Sequence, residues 1–136
     1  MKHGCVILAD AHHPMLEATR GLLDAAFHTV VMVSSRESLI EASTKIRPDL
    51  IVADLALPAS DGQKLLLKLD AQLKEFKMIV LGTYDEKDIV DSIMKKGVRG
   101  YVLKRLTATD LLQAVDRVLS GRPYISPSVV SELMIT

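Results

Sequence analysis

The sequence lacks three features that would narrow its function at once: a second cysteine, an excess of charge and a long apolar run. Cys5 is the single cysteine, so no intrachain disulfide can form, and a buried thiol on a core strand is the favoured interpretation. Seventeen basic residues balance seventeen acidic residues, which leaves no electrostatic footprint for nucleic acid or an anionic membrane. No apolar run reaches the roughly 20 residues that cross a bilayer, and the N-terminus has no signal-peptide pattern. We therefore predict a soluble, cytoplasmic protein with no membrane partner.

What the sequence does contain is an alternation of short apolar or β-branched runs with segments of helical period. The runs occupy residues 5–9, 29–33, 50–53, 78–81 and 101–103, and an amphipathic segment follows each of them. Strands that are apolar throughout are covered on both faces, which is typical of a parallel sheet between two layers of helices. The pattern predicts one α/β domain built from five strand–helix repeats.

Four residues stand where predicted strands one, three, four and five end, namely Asp10, Asp54, Gly82 and Lys104. Ligands of open parallel sheets bind outside the carboxyl ends of the strands. The chemistry that fits this set is aspartyl phosphorylation, because a carboxylate can act as a nucleophile on a phosphoryl donor. A lysine contributes a point cation to the phosphoryl group, and Mg²⁺ can bridge carboxylate and phosphoryl oxygens.

Two segments resemble motifs of the response-regulator receiver (CheY-like) family. Residues 48–62, PDLIVADLALPASDG, match the pattern PDxxxxDxxMPxxDG except that Leu57 replaces the methionine, and residues 97–104, GVRGYVLK, match GAxGYLxK. The resemblance covers roughly residues 5 to 134. It implies a flavodoxin-like, doubly wound α/β fold with three layers, in which five parallel strands follow the order 2-1-3-4-5.

The resemblance assigns roles to the residues at the strand ends. Asp54 matches the phosphoacceptor, and Lys104 matches the lysine that contacts the phosphoryl group. Asp10, Asp54 and the backbone carbonyl of Ala56 match ligands of Mg²⁺. The domain is thus expected to receive a phosphoryl group from a sensor histidine kinase and not to be an enzyme.

The switch positions of the family fall on Gly82, Thr83 and Tyr101, and here the chain departs from the pattern. Gly82 stands where the family has serine or threonine, which hydrogen-bonds the phosphoryl group, and Thr83 is a weak substitute one residue away. Tyr101 matches the aromatic switch residue. Ala11 stands where the family has a second acid that binds metal directly, and Arg105 replaces the usual proline. We therefore expect Mg²⁺ to bind only weakly.

The C-terminal part, residues 119–130, resembles the linker of NarL/FixJ-like regulators, which carry a LuxR-type helix-turn-helix output domain. This predicts a receiver domain over residues 1–120, followed over 121–136 by a linker and the start of a linker helix to a DNA-binding domain absent from this chain. Partners would be the kinase, the output domain and, through it alone, DNA. The alternative is a single-domain protein with a C-terminal helix, and the oligomeric state stays open, with a homodimer among the options.

Three other interpretations compete with phosphorylation-controlled transcription. The first is an atypical pseudo-receiver, with a degenerate pocket and regulation by a ligand or a protein partner. The second is a flavodoxin-like nucleotide or flavin binder, which would need a phosphate-binding loop where residues 10–14 read DAHHP. The third is a metal hydrolase using Asp10, His3, His12 and His13, whose spacing fits no zinc pattern.

Overall fold

The computed structural model describes residues 2–11, 13–57, 69 and 71–129. Strands and helices alternate along these ranges, as β1 (His3–Ala9), α1 (His13–Asp24), β2 (Phe27–Val33), α2 (Arg36–Ile46), β3 (Leu50–Asp54), α3 (Ala71–Lys74), β4 (Met78–Gly82), α4 (Lys87–Met94), β5 (Gly100–Leu103), a 3₁₀ turn (Lys104–Leu106), α5 (Thr107–Leu119) and β6 (Tyr124–Ile125). The sequence also predicts a leucine-rich helix that follows the turn ending at Gly62 and runs through about Leu73, and most of that range lies outside the described residues.

The strands form one parallel sheet in the order β2-β1-β3-β4-β5-β6. The predicted order 2-1-3-4-5 is therefore confirmed. The predicted number of five strands is wrong, because the two-residue strand β6 adds a sixth strand beside β5. Such a short strand carries no periodicity that a sequence pattern could reveal.

Two buried clusters, one on each face of the sheet, explain why the strands are apolar throughout. Helices α2, α3 and α4 contribute Leu39, Leu73, Val90 and Ile93 to one cluster, and α1 and α5 contribute Leu16, Leu23, Leu111, Ala114, Val115 and Val118 to the other. This confirms the three-layer arrangement. No helix within the described ranges has the length and apolar content that a bilayer crossing requires.

Local signals mark the ends of two helices. Ser35 caps α2, and its hydroxyl oxygen accepts a hydrogen bond from the Ser38 N–H at 3.1 Å. The helix ends at Ile46, and its C-terminal cap residue Arg47 has φ of 54°, directly before Pro48. Gly97, after α4, has φ of 104°, the left-handed conformation in which glycine is favoured. Because all the strand pairs are parallel, their carboxyl ends lie at one edge of the sheet.

The C-terminal segment 124–129 packs onto the sheet. The Tyr124 N–H donates to the Arg99 carbonyl at 3.1 Å, and the Ser126 N–H donates to the Tyr101 carbonyl at 2.9 Å. The Ser126 hydroxyl is fully buried; it donates to Asp110 Oδ2 and accepts from the Leu103 N–H, both at 2.9 Å. Residues predicted to be a linker are thus tied to β5 and α5.

Candidate functional site

Strand register places Asp10 and Asp54 side by side. Ala9 pairs with Ala53 across β1 and β3; Asp10 directly follows Ala9 at the end of β1, and Asp54 directly follows Ala53 as the last residue of β3. Asp10 is 1% exposed and Asp54 is 6% exposed, so both carboxyl groups lie at a largely closed edge of the sheet. Neighbouring buried carboxylates repel each other, and the site therefore favours a cation close to them.

The cation that reaches Asp54 in the structure is Lys104. The Lys104 ammonium, which is half-buried, forms an ion pair with Oδ2 of the buried Asp54. Lys104 begins the 3₁₀ turn directly after β5, so the same sheet edge that presents the carboxylates also presents the ammonium. Such a pair contributes little net stability, but leaving the buried Asp54 carboxylate without its counter-charge would be costly.

A turn after β3 engages the other carboxylate oxygen. The Ala56 N–H donates to Asp54 Oδ1 at 2.9 Å, and the Leu57 N–H donates to the backbone carbonyl of Asp54 at 3.0 Å. An aspartate side chain that bonds the backbone two residues later stabilises such a turn. The turn fixes the direction of the Asp54 carboxylate and leaves Ala56 exposed at the rim.

Asp54 and Lys104 line a cavity of about 70 Å³, together with Leu55, Ala56, Gly82, Thr83 and Tyr84. Pockets for drug-sized ligands measure about 300–1,000 Å³, so this cavity suits a small group such as a phosphoryl group rather than a nucleotide or a flavin. The structure thus brings five of the predicted site residues together: Asp54, Ala56, Gly82, Thr83 and Lys104.

A larger open cleft of about 570 Å³ lies at the amino ends of the strands, where residues such as His3, Asp49 and Lys77 line it. Asp49 is structural there, since its Oδ2 accepts the Cys5 N–H at 2.8 Å and joins β1 to the start of β3. Cys5 itself is half-buried rather than buried as predicted. Ligands of open parallel sheets bind at the carboxyl ends, so the small cavity at Asp54 is the better candidate.

Tyr101 is hydrogen-bonded to Tyr84, one of the residues that line the small cavity. Its ring is fully buried, and its hydroxyl donates to the Tyr84 backbone carbonyl at 2.7 Å. Burial raises the pKa of the Tyr101 phenol to about 12, although the hydrogen bond to Tyr84 lowers it in part. Sequence reasoning missed Tyr84, because a backbone acceptor leaves no signal in the residue type.

The predicted Mg²⁺ ligands offer oxygen donors only, which is the donor type that this ion prefers. Asp10 and Asp54 supply two carboxylates, and Ala11, in the position of the missing second acid, is exposed. The described part of the chain holds no group of three or more histidine, cysteine, aspartate or glutamate side chains that could bind a metal. The donor set therefore fits a weakly held Mg²⁺, and the ligand roles stay predictions.

The metal-hydrolase alternative is not supported by the placement of its residues. His3 begins β1, where its ring packs 5.5 Å from the Phe27 ring centroid, and Asp10 follows the other end of the strand. Seven strand residues span about 23 Å, which is too far for one metal ion to join both side chains. His12 and the side chain of His13 lie outside what the structure describes.

Comparison with known proteins gives matches over almost the whole chain. The sequence model described as the response regulator receiver domain matches residues 6–116. The transcriptional regulatory protein DegU of Brevibacillus brevis is 29% identical over 95% of this chain, and the nitrate/nitrite response regulator NarL of Escherichia coli K12 is 28% identical over 94%. A solved structure of the RcsB response regulator of Salmonella typhimurium superposes with a TM-score of 0.86 at 25% identity, over 98% of this chain.

These proteins are longer than the chain described. The matches cover 56% of DegU, 60% of NarL and 68% of the RcsB chain. The chain is therefore similar to one part of each protein, and the part matched by the family model carries the cavity residues described above.

Proposed function

This chain belongs to the response regulator receiver family, and on that premise we propose that it accepts a phosphoryl group on Asp54 and thereby controls transcription within a longer protein. The observation that carries the proposal is the Asp54–Lys104 ion pair at the small cavity, on the sheet edge where ligands bind. The proposed donor is a sensor histidine kinase. A DNA-binding output domain, a cytoplasmic location and dimerisation belong to the same proposal.

The proposed reaction transfers a phosphoryl group from a phosphohistidine of the kinase. An oxygen of the Asp54 carboxylate attacks phosphorus, the phosphorus–nitrogen bond breaks, and the leaving imidazole takes up a proton. The Lys104 ammonium, paired with the Asp54 carboxylate before the reaction, would then pair with an oxygen of the transferred phosphoryl group, so its charge stays paired throughout. Mg²⁺, held by Asp10, Asp54 and the Ala56 carbonyl, would neutralise the charge that develops on the phosphoryl oxygens.

Incubation with acetyl phosphate and Mg²⁺, followed by intact mass measurement, tests the proposal. The wild type should gain the mass of one phosphoryl group, and Asp54→Asn should gain none. Asp88→Asn, which removes an exposed carboxylate on α4, serves as the matched control and should be labelled like the wild type. Labelling of Asp54→Asn at the wild-type rate would show that another residue is the acceptor.

The pseudo-receiver remains the second candidate, and two observations favour it. Ala11 provides no carboxylate at the position of the second acid, and the space beside Gly82 is filled by Tyr101. A chain that is never phosphorylated, even at saturating acetyl phosphate and Mg²⁺, would support this candidate over the first.

A further inference from the structure

Gly82 and Tyr101 compete for the same space. Tyr101 pairs with Val80 across β4 and β5, and Gly82 lies two residues further along β4, on the same face of the sheet. A Cβ atom at position 82 would lie 2.4 Å from the Tyr101 hydroxyl oxygen and 2.8 Å from two of its ring carbons. Side-chain atoms do not approach so closely, so any side chain at position 82 excludes Tyr101 from its present position.

Tyr101 in turn holds the segment between β4 and α4, residues 83–86. Its hydroxyl donates to the Tyr84 carbonyl at 2.7 Å, and its ring is fully buried in the cluster that also contains Val80 and Leu103. Thr83 and Tyr84 line the cavity that contains Asp54. The position of the Tyr101 ring is therefore linked to the wall of the acceptor cavity.

The alternative position of the ring is unfavourable for a physical reason. If Tyr101 swung outward, the volume of an aromatic ring beside Gly82 would stay empty, because glycine has no side chain to fill it. The Tyr84 carbonyl would also lose its hydrogen bond. A serine or threonine at position 82 would fill that space and make the outward position acceptable.

We infer that Gly82 and Tyr101 form a lock, which keeps the ring inward and holds segment 83–86 in one conformation whether or not Asp54 carries a phosphoryl group. This inference concerns the regulation of the proposed phosphoacceptor site and rests on that site for its meaning. It makes Tyr101 a positioning residue, which acts on the cavity through segment 83–86.

The test uses the whole chain labelled with 3-fluorotyrosine, which gives one ¹⁹F signal each for Tyr84, Tyr101 and Tyr124. Single Tyr→Phe variants assign the three signals. The Tyr101 signal of the wild type should have the shift of a buried ring and should not move when beryllofluoride and Mg²⁺ are added. Bound beryllofluoride has its own ¹⁹F signal, so occupancy of the Asp54 site is measured in the same sample.

Gly82→Ala is the decisive variant, because a single methyl group should expel the ring. Its Tyr101 signal should move to the shift of a solvent-exposed tyrosine. Gly21→Ala is the matched control, since nothing lies within 4 Å of a Cβ added there, and its Tyr101 signal should match the wild type. An unchanged Tyr101 signal in Gly82→Ala would overturn the lock, as would a wild-type signal that moves when beryllofluoride binds.

The two proposals fail separately. Absence of a bound beryllofluoride signal in the wild type would count against phosphorylation of Asp54, and the Gly82→Ala spectrum would still decide the lock. If Gly82→Ala does not fold, amide hydrogen exchange in the Tyr101→Phe variant tests the lock instead. Residues 83–86 should exchange several-fold faster in that variant, with no change in β3, and unchanged exchange would overturn the lock.

Discussion

At the scale of single residues, the site depends on a small number of contacts made by buried polar groups. One carboxylate oxygen of Asp54 is paired with the Lys104 ammonium, and the other accepts a hydrogen bond from the Ala56 N–H. The Tyr101 hydroxyl donates a hydrogen bond to the Tyr84 backbone carbonyl. Each of these contacts offsets a desolvation cost, so removing one partner should change stability as well as function.

Lys104→Met should lower the free energy of unfolding by about 1–3 kcal/mol at pH 7, because the buried Asp54 carboxylate loses its counter-charge. Urea denaturation measures the change, and Lys96→Met, on an exposed lysine after α4, is the control. Adding Asp54→Asn to Lys104→Met should restore part of the loss. If the two residues act independently, the double variant should lose the sum of the stability changes measured for Lys104→Met and Asp54→Asn alone, and that result would contradict the prediction.

Tyr101 should make the protein sensitive to alkaline pH. Its pKa is about 12 in the folded state, above the ordinary value of 10, so the unfolded chain loses the phenolic proton first as the pH rises. The stability from the protonated phenol is therefore complete below pH 10 and falls by up to about 2 kcal/mol towards pH 12. Urea denaturation across this pH range should show the fall in the wild type.

Tyr101→Phe should remove this part of the alkaline loss and should lower stability by about 1 kcal/mol at pH 7, because the Tyr84 carbonyl loses its donor. Tyr124→Phe is the matched control. Within the described ranges the Tyr124 hydroxyl is buried without a hydrogen-bond partner, so its removal should leave stability unchanged or raise it at pH 7. Equal losses at pH 7 in both variants would contradict this assignment.

Ala11→Asp should strengthen Mg²⁺ binding about tenfold or more, since it adds a carboxylate at the position that the family uses for metal. The wild type should bind Mg²⁺ no more tightly than the millimolar range, as measured by isothermal titration calorimetry. Ala25→Asp, at an exposed turn after α1, adds the same charge away from the site and should have no effect. Sub-millimolar affinity in the wild type would show that the pocket is not deficient.

At the scale of elements, β5 connects the site to the C-terminal segment. It carries Tyr101, is followed directly by Lys104 and pairs with β6 on its outer side. Ser126 joins this strand to α5 through its hydrogen bonds with the Leu103 N–H and Asp110. The C-terminal segment is therefore attached to the strand that Lys104 directly follows.

Ser126→Ala should lower the free energy of unfolding by about 1–3 kcal/mol, because it leaves the buried Asp110 carboxylate and the Leu103 N–H without this partner. Hydrogen exchange at residues 124–129 should increase more than at β4. Ser120→Ala removes an exposed hydroxyl after α5 and should change stability by less than about 0.5 kcal/mol. Equal effects of the two substitutions would mean that the buried bridge contributes nothing.

At the scale of the whole molecule, the balance of charge restricts what this chain can bind by itself. Seventeen basic residues against seventeen acidic ones provide no net attraction to phosphate groups. Non-specific DNA affinity comes mostly from that attraction. Gel-shift measurements at physiological salt should therefore detect no duplex binding by this chain at micromolar concentration, and a shifted band there would contradict the expectation.

The sequence by itself was sufficient for the features that depend on neighbours along the chain. Apolar runs mark the strands, and the residue after each run marks its carboxyl end, which is how Asp10, Asp54 and Lys104 are recognised. The strand order came from the resemblance to the receiver family, and the structure and the comparisons confirm it. The inferences about strands and their ends succeed because both depend on the types of residues that are neighbours in the sequence.

Only the tertiary structure decided the features that depend on how distant segments approach each other. The sixth strand forms because residues 124 and 125 pair with the backbone of β5. No periodicity in the sequence indicates this pairing. Gly82 looked like the loss of a hydroxyl, and its surroundings show a space occupied by Tyr101, a residue 19 positions away. Whether a side chain fits at position 82 depends on which atoms pack around it, and those atoms come together only when the sheet has assembled.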